Sequence, residues 1–352
     1  MLIAGLSVTS LPWRSELAEL KERLACVFQR SETREQVGLY LDGLVGGVER
    51  KNRWQLAEHA GDEVPWRMQA VLGRGCWEAD CARDICRDYV IERLGDPAGV
   101  LILDETTFVK TGTQSVGVAR QYSGTAGRIE NCQIGCASPK GHALIDRRLY
   151  LPQDWTKDAE CRKKTYVPND VIFATKPKIG TAMVKAALEA GVPCSWVLGD
   201  SVYGSDKGLR VMLEQREKPY VLCVRDNEKL IIDCSFRSRT AKNVAAILAP
   251  QDWQRLPAGQ GSKGPRLYDW ARVRLLRLQA PPWDQWLLIR RSISDPTDMA
   301  LYVIFGPRTS ELRDLAAVPG LRWTIEECFQ SAKGRPDLII VKRVVGPVGI
   351  VT

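Results

Sequence analysis

The sequence predicts an α/β protein in which a helical N-terminal domain precedes a mixed sheet flanked by helices. Three observations predict it. Apolar residues through the first hundred positions recur at i, i+3, i+4 and i+7, the period of an amphipathic helix. Beyond them the period shortens to two, or gives way to short continuous apolar runs bounded by glycine and proline, as in strands. Two such runs, Val100-Leu-Ile-Leu103 and Trp196-Val-Leu-Gly199, lead directly into Asp104 and Asp200. Strand ends in α/β sheets are rigid and open, which is why reacting groups collect there.

Composition narrows the classes. A chain of 352 residues can bury a large core and divide into two or three domains. No run approaches the ~18 apolar residues of a membrane span. The opening Met1-Leu-Ile-Ala-Gly-Leu6 lacks the basic region and long apolar core of a secretion signal. The formal net charge of +8 favours a polyanionic partner, although many enzymes carry such an excess for solubility. Eleven cysteines include no Cys-x-x-Cys pair, and Cys76, Cys81 and Cys86 lie five apart. This usage fits small core thiols in a reducing cytoplasm. The two histidines, His59 and His142, are isolated, which disfavours a zinc site or a histidine-based triad.

The helical region, assigned to residues 1–95, is read as follows. Ser15 is placed to cap a helix whose face carries Leu17, Leu20, Leu24 and Val27/Phe28. Ser31 is placed to cap the next, with Val37, Tyr40, Leu41 and Leu44 in phase until Gly46-Gly47. Basic residues 50–53 then precede a short helix from Trp54 to Ala60, a turn at Gly61-Asp62, and a helix opened by Pro65 that bears Trp66, Met68 and Val71. Two short helices about a glycine turn match a DNA-reading helix-turn-helix. On that reading Arg50, Lys51, Arg53 and Arg67 contact DNA; in an ordinary small bundle they form a solvated charged face. One more helix, through Cys81, Ile85, Tyr89 and Ile91, leads into the Asp104 strand.

Residues 96–225 read as strand, strand, strand, helix, strand, helix, strand. Residues 115–122 and 128–134 flank Gly124-Thr-Ala-Gly127 as a hairpin, and His142 to Tyr150 forms a third strand closed by Pro152. A helix carrying Ile179, Met183, Ala186, Ala187 and Ala190 ends at Gly191 before the Asp200 strand; another spans Lys207 to Arg216, and Tyr220 to Arg225 is a further buried strand. An antiparallel group followed by crossovers is the order of an RNase H-like sheet. Residues 226–318 read as a β-rich insertion built on segments 230–232, 273–278, 286–290 and 301–305. Its loop, residues 259–266, could direct Lys263 and Arg266 at phosphate or be a plain hairpin tip.

Residues 319–335 form an amphipathic helix packed through Ile325, Cys328, Phe329 and Ala332. Arg322, Glu326, Gln330 and Lys333 make its polar stripe, while Glu327 points roughly 100° away. Alone, such a stripe is more often a solvated salt-bridge face.

Taken together, Asp104, Gly199-Asp200-Ser-Val-Tyr-Gly204 and Arg322-(3)-Glu326-(6)-Lys333 resemble the DDE-type transposases of bacterial insertion sequences. Segments 117–125, Asn131-Cys-Gln133, 149–152 and 323–329 are similar to one branch of that family, and the resemblance runs from about Leu24 to Lys333. It implies an RNase H-like catalytic core with a β insertion before the last catalytic helix. It also implies Asp104, Asp200 and Glu326 as catalytic residues holding two Mg²⁺ ions, with Mn²⁺ able to substitute. Such a pair, roughly 3.5–4 Å apart, activates the nucleophile and stabilises the leaving oxygen. Arg322 and Lys333 would hold transposon-end DNA, with Lys110 as a further phosphate contact. The implied protein is a cytoplasmic, nucleoid-bound homodimer that cuts the ends of a mobile element and joins them to target DNA.

Two departures from the family pattern are visible. The strand after Gln133 reads Ile-Gly-Cys-Ala-Ser-Pro139, shorter than in relatives, and a clipped strand there should unsettle the central sheet. Pro336 should end the last helix near Gly334, and the atypical tail 336–352 suggests a frameshifted or decayed copy. The rival readings are a remnant that binds element DNA without cutting, and a metal-dependent nuclease that hydrolyses without joining.

Overall fold

The computed structural model describes residues 12–73, 75, 77–110, 116–120, 127–165, 167, 171–261, 264–277 and 280–333. Five helices come first: α1 (Pro12–Leu24), α2 (Ser31–Val45), α3 (Arg53–His59), α4 (Trp66–Gly73) and α5 (Ala79–Leu94). They pack on two small cores. Leu24, Phe28, Val37 and Val71 form one, with Trp77 against Phe28 at a ring separation of 5.5 Å. Leu44, Leu56, Ala57 and Met68 form the other. The helices lie where the periodicity places them, but the caps differ. Ser15 is inside α1, and Ser31 is the first residue of α2 with Arg30 at its cap. Asn52 caps α3, its side chain accepting from the Gln55 N–H. A proline at the head of a helix and an asparagine before one serve the orphan N–H groups as well as a serine does.

Next come β1 (Val100–Lys110), β2 (Ala119–Arg120), β3 (Gly127–Ser138) and β4 (Gly141–Tyr150). α6 (Gln153–Lys157), α7 (Ala159–Thr165) and α8 (Lys176–Glu189) lead to β5 (Trp196–Gly199), α9 (Ser201–Gly204), α10 (Lys207–Gln215) and β6 (Tyr220–Val224). A small ribbon of β7 (Lys229–Leu230) and β8 (Arg239–Thr240) precedes α11 (Ala241–Ala246). β9 (Gln254–Gly261), β10 (Gly264–Arg274), β11 (Trp283–Arg291) and β12 (Met299–Pro307) follow, then α12 (Leu312–Ala317) and α13 (Trp323–Lys333).

The strands form one ten-stranded mixed sheet in the order β2-β3-β1-β5-β6-β12-β11-β10-β9, with β4 also on β3. β1 is antiparallel to β3 and parallel to β5, and β5 is parallel to β6. This is the RNase H-like arrangement expected from the strand order. Two expectations change. β1 does not stop at its carboxylate but runs on to Lys110, because β3 pairs with it along its whole length. β3 is therefore not clipped, and its pairing holds the sheet despite the short apolar run after Gln133. Strands β9 to β12 of the β-rich segment join the central sheet, since β12 pairs antiparallel with β6 and carries it outward.

The two faces of the sheet bury different sets. Leu101, Leu103, Ile134, Met183, Leu209 and Leu213 pack beneath α8 and α10. Ile102, Leu198, Trp270, Ile304, Ile325 and Phe329 pack beneath α12 and α13. Alternation along β1 assigns its odd and even residues to opposite faces.

α9 reaches β6 through a glycine. A Cβ on Gly204 would overlap the backbone carbonyl of Cys223, which cannot move without disturbing the sheet. Gly204→Ala is therefore expected to destabilise the fold by about 2–3 kcal/mol, read as a lower urea midpoint with unchanged slope.

Candidate active site

β1 and β5 lie parallel with Leu103 opposite Gly199. The next residue on each chain is an aspartate, so parallel pairing delivers Asp104 and Asp200 side by side. Asp104 remains in β1, 4% exposed, on the face covered by α13. Its Oδ1 accepts from the Glu105 N–H at 2.8 Å, and its Oδ2 accepts from Arg322 Nη2 at 2.9 Å. Asp200 leaves β5 and caps α9, its Oδ1 accepting from the N–H groups of Val202 and Tyr203 at 2.9 and 3.4 Å. Arg322 ends the tight turn Val318–Arg322 that feeds α13. Glu326, one helical turn later, is half-buried and shares a pocket with Gly199 and Arg322.

The charges are unevenly neutralised. Burial pushes the Asp200 carboxyl above the usual range, and the negative charge of Asp104 pushes it further; Arg322 and the two capping N–H groups pull the other way. Burial disfavours the Arg322 cation, yet its pairing with Asp104 outweighs that and raises its pKa. Among the described residues no three His, Cys, Asp or Glu side chains lie close enough to cage a metal. The structure thus brings Asp104 and Asp200 together and sets Glu326 in the adjoining pocket without closing a three-carboxylate group.

That pocket, about 200 Å³, is lined by Arg266, Arg290, Tyr268, Tyr302 and Trp323 besides Arg322 and Glu326. The Arg290 guanidinium lies 4.5 Å from the Tyr268 ring centre, and Arg266 lies 6.0 Å from the Trp323 ring. Cations stacked on aromatic faces keep their charge while presenting a flat surface. Sequence reasoning missed Tyr268, Arg290, Tyr302 and Trp323 as site residues. The signal was the alternation Arg266, Tyr268, Trp270, which puts all three on one face of β10.

The other proposed DNA contacts divide. Arg266 stands at the pocket. Lys263 lies outside the described residues, as do the side chains of Lys110 and Lys333. Arg50 is exposed, and Arg53 is half-buried with a partner of its own. Arg67 is exposed but pairs with Asp62 at 3.1 Å and Glu35 at 3.8 Å. Lys51 is a correction: it is 6% exposed, and its ammonium donates to the carbonyls of Gly43 and Gly46. A cation closing the last turn of α2 satisfies orphan carbonyls and is withdrawn from any surface.

Two polar groups lie beside the aspartates. Glu105 points to the opposite face, where Lys176 pairs with it at 3.1 Å and with Glu130 at 2.5 Å. On the Asp104 face, Gln133 sits opposite Asp104 and Asn131 opposite Thr106.

With a raised pKa, Asp200 holds its proton more tightly folded than unfolded. Its ionisation therefore costs stability as pH rises from the ordinary aspartate value through the raised one. Asp200→Asn keeps the cap and removes that cost. In the presence of a chelator it is expected to gain about 1 kcal/mol at neutral pH and nothing near about pH 3, by thermal melting. Arg322→Met should do the reverse, losing about 1 kcal/mol at neutral pH, a modest figure because the guanidinium is partly solvated.

The comparisons with known proteins agree with this geometry. A family model described as DDE superfamily endonuclease matches residues 23–242, a span containing Asp104 and Asp200 but ending before Glu326. The "Probable transposase for insertion sequence element IS701" of Microchaete diplosiphon is 24% identical over 191 residues, covering 53% of this chain and 47% of that protein. The chain thus spans about half the length of the curated relative it matches. Among solved structures, the NurA nuclease of Sulfolobus solfataricus covers 72% of this chain and 86% of its own at a TM-score of 0.32 and 8% identity. That likeness is too loose to bear on function. The family match takes in well over half of the sequence and both strand-end aspartates, and the chain belongs to the DDE superfamily of endonucleases.

Proposed function

We propose that the chain acts as a transposase, cutting the ends of an insertion sequence and joining them to target DNA. The observation that carries this reading is the pair of aspartates on adjacent parallel strands, with Arg322 on one of them at the mouth of a cationic, aromatic pocket. The named relative is described as a probable transposase, which supports the same class of reaction.

The donor chemistry fits a hard divalent cation. Asp104 and Asp200 offer oxygen only, and Asp200 Oδ2 is not used by the capping hydrogen bonds. A buried carboxylate, Asp104, and a half-buried one, Asp200, repel side by side unless a cation joins them. Asp104 and Asp200 would hold Mg²⁺ or Mn²⁺, with Glu326 as the third donor. When bound, two such ions supply charge relief on the phosphate and an activated oxygen nucleophile.

The protein's own groups do the rest. Arg322 exchanges its partner, from the Asp104 carboxylate to a DNA phosphate, a trade its planar fork suits. Arg266 and Arg290 carry positive charge into the pocket, where a DNA strand loses counterions on binding. The buried floor formed by Leu198, Val221 and Trp270 limits water near the reacting phosphate. The working division assigns DNA contact to residues 1–95, chemistry to 96–225 with 319–335, and DNA positioning to 226–318. Two element ends imply two copies of the chain, acting in the cytoplasm on nucleoid DNA.

The test uses the purified chain, a supercoiled plasmid carrying the element, and Mg²⁺ or chelator. Nicking at the element ends should require the cation and fall by about 10³-fold in Asp104→Ala and in Asp200→Ala, with end binding retained. Undiminished cleavage in either variant rejects the assignment. End binding without cleavage by the unaltered chain marks a non-catalytic remnant; cleavage without joined product marks a nuclease.

A further inference from the structure

The face of the sheet that bears Asp104 carries a row of polar side chains to which no step has been assigned. β1 and β3 are antiparallel, with Asp104 opposite Gln133 and Thr106 opposite Asn131. Directly opposed residues share a face with Cβ atoms ~4.5–5.5 Å apart, and alternate residues repeat along it. Four polar side chains therefore make a two-by-two patch starting at the carboxylate.

Three of the four hold a buried oxygen without a partner among the described residues. Thr106 is 3% exposed, Asn131 1% and Gln133 9%. The Thr106 Oγ1, Asn131 Oδ1 and Gln133 Oε1 atoms are shielded from solvent and have no hydrogen-bond partner among the described residues. Arg322 Nε, beside Asp104, is in the same condition. Buried polar atoms are ordinarily satisfied, so a cluster of orphans calls for an explanation. Structural need does not supply one, because an apolar residue of equal size would pack there at lower cost.

The chemistry of the orphans describes what they await. The two amide oxygens only accept hydrogen bonds, so their partner must donate, and the Thr106 hydroxyl can do either. Phosphate oxygens cannot. A nucleobase edge can, but these atoms are hidden and stand apart from the pocket lining. Water is small enough, and water polarised by a cation is a stronger donor than bulk water. Side chains that orient the surroundings of a metal ligand tune its affinity without touching the ion.

We propose that Gln133 and Asn131 are positioning residues whose side-chain amides, with the Thr106 hydroxyl, accept hydrogen bonds from the hydration shell of a divalent cation held by Asp104 and Asp200. This rests on the cation reading above. The row fixes the shell on the β3 side of Asp104, while Arg322 holds the other side. Glu105, Cys132 and Glu130 alternate with the row and belong to the α8 face, so they take no part.

The experiment measures Mn²⁺ binding to the full chain without DNA, by the loss of the free-ion electron paramagnetic resonance signal. Thermal melting in chelator runs in parallel. Gln133→Met and Asn131→Leu should each weaken Mn²⁺ about tenfold, with the metal-free melting temperature unchanged or raised because an orphan is removed without leaving a cavity. Gln133→Glu keeps an acceptor and should hold Mn²⁺ at least as tightly as the unaltered chain, with unchanged end-DNA binding in chelator. Wild-type Mn²⁺ affinity in both Gln133→Met and Asn131→Leu, with Asp104→Ala losing the ion, overturns the inference and leaves the cation reading standing. Weaker DNA binding by Gln133→Glu in chelator would assign the row to phosphate or base instead. A melting temperature that falls in step with affinity would make it structural. Wild-type Mn²⁺ affinity in Asp104→Ala defeats the underlying reading itself.

Discussion

The parallel pairing of β1 with β5 is the constraint on which the rest of the molecule depends. It aligns two strands that each continue into an aspartate, so the buried Asp104 and the half-buried Asp200 meet at one end of the sheet. Their mutual repulsion is built into the backbone register and cannot be relieved by a rotamer change alone. The fold answers with fixed dipoles and one guanidinium. Asp200 is turned onto the N–H groups that open α9, and Asp104 receives Arg322 from a segment 218 residues further along the chain. The turn Val318–Arg322 and the start of α13 are thereby tied to the sheet by charge as well as by Ile325 and Phe329.

The same register explains why the insertion extends the central sheet. A pocket beside Asp200 needs a wall that does not shift relative to β5 and β6, and hydrogen-bonded strands provide one. β12 lies against β6 from Leu301 to Phe305, and Phe305 stacks on Tyr220 at 5.8 Å and on Trp283 at 5.0 Å. Arg266, Arg290 and Tyr302 thus reach the pocket from strands continuous with the one that ends at Asp200. Side chains anchored on strands hold geometry better than side chains on loops.

Much of this was legible in the residues, and the failures have physical causes. The helical periods, the strand order and the two carboxylate-ended runs are local patterns, and they map onto α1 to α5, β1, β5 and β6. The reach of β1 beyond Asp104 was not legible, because it depends on pairing with β3 rather than on its own apolar content. Lys51 read as a surface cation since nothing local shows that α2 ends on top of it. The pocket residues of β10 to β12 read as an ordinary β segment, because which face meets the site is decided by the β6–β12 pairing far away in sequence. Asn131 and Gln133 were visible as part of a resemblance, but their lack of partners is a property of packing.

Two cations divide the acidic residues at this end of the sheet, and their surroundings separate their roles. Lys176 serves Glu105 and Glu130 on the α8 face with 14% of its side chain exposed. Burial raises the Glu105 carboxyl above its usual range and Lys176 draws it back, a closed arrangement in which removing one partner strands the others. Arg322 serves Asp104 with 37% of its side chain exposed, and its helix turn opens onto the pocket. Adjacent residues of one strand therefore carry two kinds of ion pair. The enclosed group holds β1, β3 and the head of α8 together; the half-open pair leaves Arg322 at the pocket, where the proposed exchange of Asp104 for a phosphate would take place. Alternation along a single strand is enough to keep the enclosed charge and the half-open charge on opposite faces.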